Sequence, residues 1–346
     1  VPRFPIPLYS PLEYVAAAFS LPLFSLIVAM LVFALAPSAR RFLGRGPRSR
    51  IYKRTPAAAA RYSSERGALG GGAIAVIIVF AAENVVRGYL LNLSDVVAWW
   101  EYATPVFTAF LSLSVVLWLI VFRGTIPPEQ PVLSVSPRTW ISFGPRTGIA
   151  MSIAAVCALF MTTVAAGLAS SADSRGRYIH LEIPVPNEAI DALRPWFYGW
   201  AYGVPVIICL AALAITCGVT LQRNAARPFM RPDTVGAERA ARVEIASSAV
   251  LITTAASLLA LGGAFRLIAS SGSISALVVQ NGGESDSYEA MWRYAEFAIA
   301  AGWLAPLLEI TAFLSLLAVA GRLFRTRAKG RAREENELAT RSEAVK

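Results

Sequence analysis

Charge is scarce in this sequence: Asp, Glu, Lys and Arg make up 16% of its 346 residues, whereas 56% are hydrophobic. Ordinary soluble domains carry about 25% charged residues, so this balance excludes that class and points to a membrane. Histidine occurs once, as His180, which removes the commonest proton carrier and metal ligand. The chain also has no H-E-x-x-H, no G-x-S-x-G and no G-x-x-x-x-G-K-S/T. It therefore lacks the chemistry of a zinc protease, a serine hydrolase or a self-contained ATPase, and no catalytic residue, cofactor or metal is expected. Of the three cysteines, Cys209 and Cys217 fall on one apolar run. Eight helical residues separate them by about 12 Å, too far for a disulfide.

What the chain has in abundance is long apolar stretches. A helical span needs about 20 apolar residues, and seven runs meet that need: 14–36, 69–91, 104–122, 147–169, 198–221, 246–268 and 295–320. Lipid offers no partner for backbone N–H and C=O groups, so each run is expected to be helical. The fold class that follows is an all-α integral membrane protein, a bundle of seven transmembrane helices. Residues 1–322 form the membrane domain and 323–346 a charged tail.

Orientation follows from the loops, because Lys and Arg concentrate on the cytoplasmic side. Segment 37–68 holds nine basic residues against Glu65 alone. Together with 123–146, 222–245 and 321–346 it brings the inner total to 25 basic and 9 acidic, while 92–103, 170–197 and 269–294 carry 4 basic and 9 acidic. This alternation places the N-terminus outside and the C-terminus in the cytoplasm, integral to the cytoplasmic (plasma) membrane. The first run has its basic flank after it, which marks a retained anchor and not a cleaved signal. Trp99, Trp100, Trp196, Trp200 and Trp292 sit where an outer aromatic belt belongs.

The two longer outer loops carry strand-like runs at 178–183 and 274–279, closed by proline or Asn-Gly-Gly. They are expected to form a small extracytoplasmic cap of short β-strands, with 187–194 as a short amphipathic helix between Asn187 and Pro195. Small residues at Gly70–Gly72, Gly199, Gly203, Ala298 and Gly302 mark places where helices can approach closely. The basic stretch 40–54 suits anionic lipid headgroups. Positive-inside topology accounts for it without nucleic acid.

Placing the loop charges leaves five ionisable residues within the runs: Glu83, Arg87, Arg266, Glu296 and Glu309. Such groups in hydrocarbon face a bundle interior or a wet cavity, unless they reach the headgroups. With Asn84, and with Thr162 and Thr163 at similar height, the first four can build an outer polar pocket. Glu83 and Arg87 have the i,i+4 spacing of a local ion pair. Glu309 falls near mid-membrane, three residues after Pro306. It is expected either to be a neutral carboxyl bonded to Thr253, Thr254 or Ser257, or to relay a proton or cation. These features suit a transporter permease or the membrane subunit of a multi-component system served by a separate ATPase. A sensory, scaffold or partner-binding protein is the alternative.

Overall fold

A computed structural model of the chain describes residues 21–35, 60–90, 96–123, 139–187, 190–281 and 284–344. Its elements in chain order are α1 (Pro22–Leu35), α2 (Ser63–Val85), α3 (Thr104–Arg123), α4 (Arg146–Ala169), β1 (Ser170–Ala172), β2 (Tyr178–Leu181), α5 (Trp200–Ala226), α6 (Val235–Gly272), β3 (Ala276–Asn281), β4 (Glu284–Glu289) and α7 (Ala295–Ala344). The fold is mostly helical, and six of these helices are long and apolar enough to cross a membrane. The first expected run is described only over the 14 residues of α1, about 21 Å of helix; its start lies outside the described residues. So do the basic stretch 40–54 and most of the proline-rich 124–146.

Helix α6 is the axis of the bundle. In its most apolar stretch 89% of residues are buried, against 33–50% in the other five long helices. Around it run α4, α5, α3, α2 and α7 in that order, with α1 laid outside α7 and α2. The sequence of α6 explains its place: Ala, Ser, Thr and Gly dominate from Ala246 to Ala264, and small side chains let several helices approach one axis. A helix without a polar face belongs inside a bundle. Its hydroxyls bond within the helix, Thr253 to the Ala249 carbonyl, Thr254 to Val250 and Ser257 to Thr253, so burying them leaves no polar group unpaired.

The surrounding helices turn Ile78, Leu111, Val115, Met151, Met161, Ile208, Ile215, Leu304 and Leu307 outward. Exposed apolar surface on this scale is untenable in water and ordinary in lipid. The expected small-residue contacts are spent inside the chain. A Cβ on Gly72 would stand 2.7 Å from Ser112 of α3, one on Gly203 2.8 Å from Thr163 of α4, and one on Gly302 3.1 Å from Ala269 of α6.

One end of the bundle carries the hairpins. The two longer loops fold separately, as antiparallel pairs β1–β2 and β3–β4. The first turns through Gly176, whose φ of 77° suits glycine. They still meet: the Ser271 hydroxyl donates to the Trp196 carbonyl, and the Phe197 and Trp292 rings pack edge to face at 5.6 Å. The helix expected over 187–194 does not form in its described part. Leu193 exchanges both main-chain hydrogen bonds with Ile183, each at 2.9 Å, and a strand-like bridge withholds the backbone groups a helix needs. Residues 188–189 lie outside the described residues. The tail after 322 continues α7 as helix to Ala344, and α7 passes through Pro306 as one helix.

Candidate functional site

At the hairpin end, α2, α3, α5, α6 and α7 enclose a cavity of about 350 Å³. Its wall includes Glu83, Asn84, Arg87, Arg266 and Glu309, five of the six residues singled out from sequence, together with Glu101, Tyr102, Trp196 and Tyr202. Glu296 is not among them; it is exposed near the start of α7. Thr163 lies elsewhere, buried and donating to the Leu159 carbonyl with the Tyr198 hydroxyl at 3.3 Å. Thr162 lines a second, apolar groove of about 470 Å³ bordered by Phe197, Ile268, Trp292 and Phe297. The pocket expected from sequence is thus wider toward the α2–α3 loop and does not reach α4.

The deepest feature is an ion pair between α6 and α7. Arg266 Nε donates to Glu309 Oε1 and its Nη2 to Oε2, both at 2.6 Å, the two-pronged geometry of a strong guanidinium–carboxylate pair. Nη2 also reaches the Ser25 hydroxyl of α1 at 3.3 Å. Glu309 is therefore neither lone nor bonded to Thr253, Thr254 or Ser257. Those hydroxyls are already satisfied within α6, and Thr253 lies nine residues, about 13 Å, below the level where Glu309 meets α6 at Gly262. Arg266 does not reach for the headgroups either. Cβ atoms tilt toward the N-terminus of their own helix, so on these oppositely running helices the two side chains lean toward each other.

Glycines make the space. A Cβ on Gly262 would stand 2.9 Å from Glu309 Cγ and 3.3 Å from the Ala305 carbonyl, and one on Gly263 3.0 Å from the Tyr102 ring. Gly262→Ala is expected to lower stability by about 1–3 kcal/mol through overpacking. Gly71→Ala, where nothing lies within 4 Å, should be neutral or stabilising. Thermal unfolding in detergent compares them, and equal midpoints would show that α6 and α7 are not tightly packed at Gly262.

Arg87 pairs with Glu101 of the α2–α3 loop and donates to the Val96 carbonyl at 3.4 Å. The expected Glu83–Arg87 pair is absent. After Val85 the helix widens into a π turn over Val86–Leu90, which rotates Arg87 off the face that i,i+4 spacing would give it. Burial pushes the Glu101 carboxyl above its usual pKa, desolvation outweighing the Arg87 hydrogen bond and charge that lower it. Glu83 instead accepts from the Thr104 hydroxyl at 3.2 Å, and Asn84 donates to the Phe80 carbonyl at 2.8 Å. Tyr102 closes the wall between Tyr198 and Tyr202, its ring centroid 5.2 and 5.3 Å from theirs.

The opposite end of the bundle holds a second polar cluster that sequence reading assigned to loops. Glu65, Arg227, Glu238 and Arg242 are all buried. Arg242 donates to the Arg227 carbonyl at 2.6 Å, the Pro228 carbonyl at 2.9 Å and the Tyr62 hydroxyl at 3.2 Å, and lies 4.2 Å from the Phe229 ring centroid. Glu238 accepts from the Met230 amide, the Thr234 hydroxyl and Tyr62. Arg227 meets Glu65 at 2.8 Å. These residues were missed because α2 begins at Ser63 and α6 at Val235, before the apolar runs at 69 and 246. Their one sequence signal is sign: Glu65 is the sole acid among nine bases, and 222–245 sets three acids among five bases.

Among the described residues no group of His, Cys, Asp and Glu side chains is arranged to hold a metal ion. No protein-family model, curated protein or solved structure matches the chain.

Proposed function

We propose that the chain is a permease, or the membrane subunit of a multi-component transporter, in the cytoplasmic membrane, with seven spans, its N-terminus outside and its C-terminus inside. The observation that carries this reading is the cavity of about 350 Å³ at the hairpin end, with charged side chains from four separate segments in its wall. Small-molecule sites have roughly this size, about 300–1,000 Å³, with few polar groups set among apolar ones. Intramembrane charges cost several kcal/mol and concentrate along solute and ion paths. The wall of the cavity comes wholly from the hairpin half of the bundle, while the buried Arg242–Glu238 cluster lies at the other end. With no nucleotide-binding motif, an ATP-driven version needs a separate ATPase at the basic loops.

Uptake tests the reading. Right-side-out membrane vesicles containing the chain are expected to accumulate at least one of a labelled amine, carboxylate or amino acid above vesicles lacking it. Arg266→Gln and Glu309→Gln, expressed at equal level, should lose that uptake. Absence of uptake for all three classes, with ATP supplied inside, would remove the transport reading. Single-cysteine labelling in a cysteine-free background tests orientation: Ser63→Cys should react only from the cytoplasmic side.

A second reading, a sensor or partner-binding protein, has its own support. Helix α7 is 50 residues long, about 75 Å, more than twice the thickness of a bilayer core of about 30 Å, and so carries a charged rod away from the bundle. Co-purification of a regulator with the full chain, lost on truncation after residue 322, favours it.

A further inference from the structure

The charges in the cavity wall do not cancel. Three carboxylates, Glu83, Glu101 and Glu309, face two guanidiniums. Glu309 holds Arg266 with both oxygens, and Glu101 is in contact with Arg87. Glu83 stands in no ion pair among the described residues, Arg87 being turned to Glu101, and residues 91–95, which follow the π turn, contain no Lys or Arg. Its one donor among the described residues is shared. The Thr104 hydroxyl carries a single proton and stands 3.0 Å from the Trp100 carbonyl as well as 3.2 Å from Glu83.

We infer that the cavity binds a small organic cation, a protonated amine whose ammonium group sits on Glu83. The inference rests on the cavity being a solute site and adds the class of solute. An ammonium brings three donors. Glu83 offers one acceptor, and the Asn84 amide offers another, since its nitrogen is engaged on the Phe80 carbonyl and its oxygen remains. Phe80, Tyr102, Trp196 and Tyr202 line the same space, and aromatic faces favour organic cations over hydrated inorganic ones. A bare metal ion of the calcium type needs about 6–8 oxygen ligands, more than this wall supplies, and leaves most of the cavity empty.

An anion finds no equivalent. It would have to strip Arg266 from a two-pronged carboxylate or Arg87 from Glu101. The one Arg87 nitrogen without any acceptor or carboxylate contact, Nε, is shut away from the cavity space.

Equilibrium binding to the full chain in nanodiscs of zwitterionic lipid decides the matter. The probes are phenethylamine, its carboxylate counterpart 3-phenylpropionate and its neutral counterpart 2-phenylethanol. Phenethylamine is expected to raise the unfolding midpoint in a saturable way and to bind at least about tenfold tighter than either counterpart, as a charge-assisted hydrogen bond allows. Glu83→Gln should remove that preference and Glu83→Asp retain part of it. Equal binding of amine and carboxylate by the parent chain, preference for the carboxylate, or no binding of any probe overturns the inference, whether or not the Glu83 variants fold. Amine binding without uptake in vesicles would leave the ligand class standing and sink the permease reading instead.

Discussion

Arg242→Leu is expected to destabilise the protein by about 3–5 kcal/mol, the usual cost of removing one partner from a buried charge network. Its side chain is 0% exposed and that of Glu238 2%, so solvent cannot replace what is lost. The guanidinium ties the N-terminal turns of α6 to the segment 227–230 and to Tyr62 before α2. Without it, the Arg227 and Pro228 carbonyls lose donors, and among the described residues Glu238 keeps only Arg61, at 3.4 Å, as a cation. Lysine should not rescue it. An ammonium cannot reach all these acceptors in the planar fork of a guanidinium, nor stack on Phe229 in the same way. Unfolding midpoints followed by size-exclusion chromatography in detergent provide the test. An Arg242→Leu variant as stable as its parent would show that this end is held by apolar packing alone.

The Arg266–Glu309 pair should behave as a unit. Arg266→Leu leaves a carboxylate that is 1% exposed, and Glu309→Leu takes from the guanidinium the carboxylate that holds both its prongs. Each single change is expected to cost about 3–5 kcal/mol. The double change Arg266→Leu/Glu309→Leu should recover most of that loss, because two apolar side chains suit the interface between α6 and α7. Measured as a cycle, the coupling should reach about 2–3 kcal/mol, the upper part of the range for contacting residues. Additive single effects would mean that the two charges are stabilised independently, by water in the cavity, and the pair would lose its structural role. Binding measured on the double variant separates stability from ligand recognition, since Glu83 and Asn84 are left in place.

These two clusters differ in how legible they were. Glu309 and Arg266 stand inside apolar runs, so hydropathy alone sets them apart. Glu65, Glu238 and Arg242 stand just before such runs, where charge is ordinary, and nothing local distinguishes a residue folded into the end of a bundle from one in water. Helix starts were the weak point. The apolar runs begin at 69 and 246, the helices at Ser63 and Val235, because protein contacts and not lipid bury the extra turns. Partner choice was illegible for a related reason. Spacing on one helix suggested Glu83 with Arg87, but the π turn at Val86–Leu90 changes the rotation of one residue relative to the other. The distant sequence partner, Glu101, takes its place.

The sequence by itself determined that long apolar helices make this protein, roughly where each lies, that short strands occupy the two longer loops, and which few charges need explaining. Each of these depends on local composition and period, which a chain carries whatever its neighbours are. Tertiary structure alone decided that α6 is the axis, that Arg266 answers Glu309, and that Glu83 faces a cavity while Arg87 turns to Glu101. Those facts depend on the rotation and depth of one helix against another. Close contacts at glycines far apart in the chain from their neighbours, Gly262 against Glu309 and Gly302 against Ala269, set both.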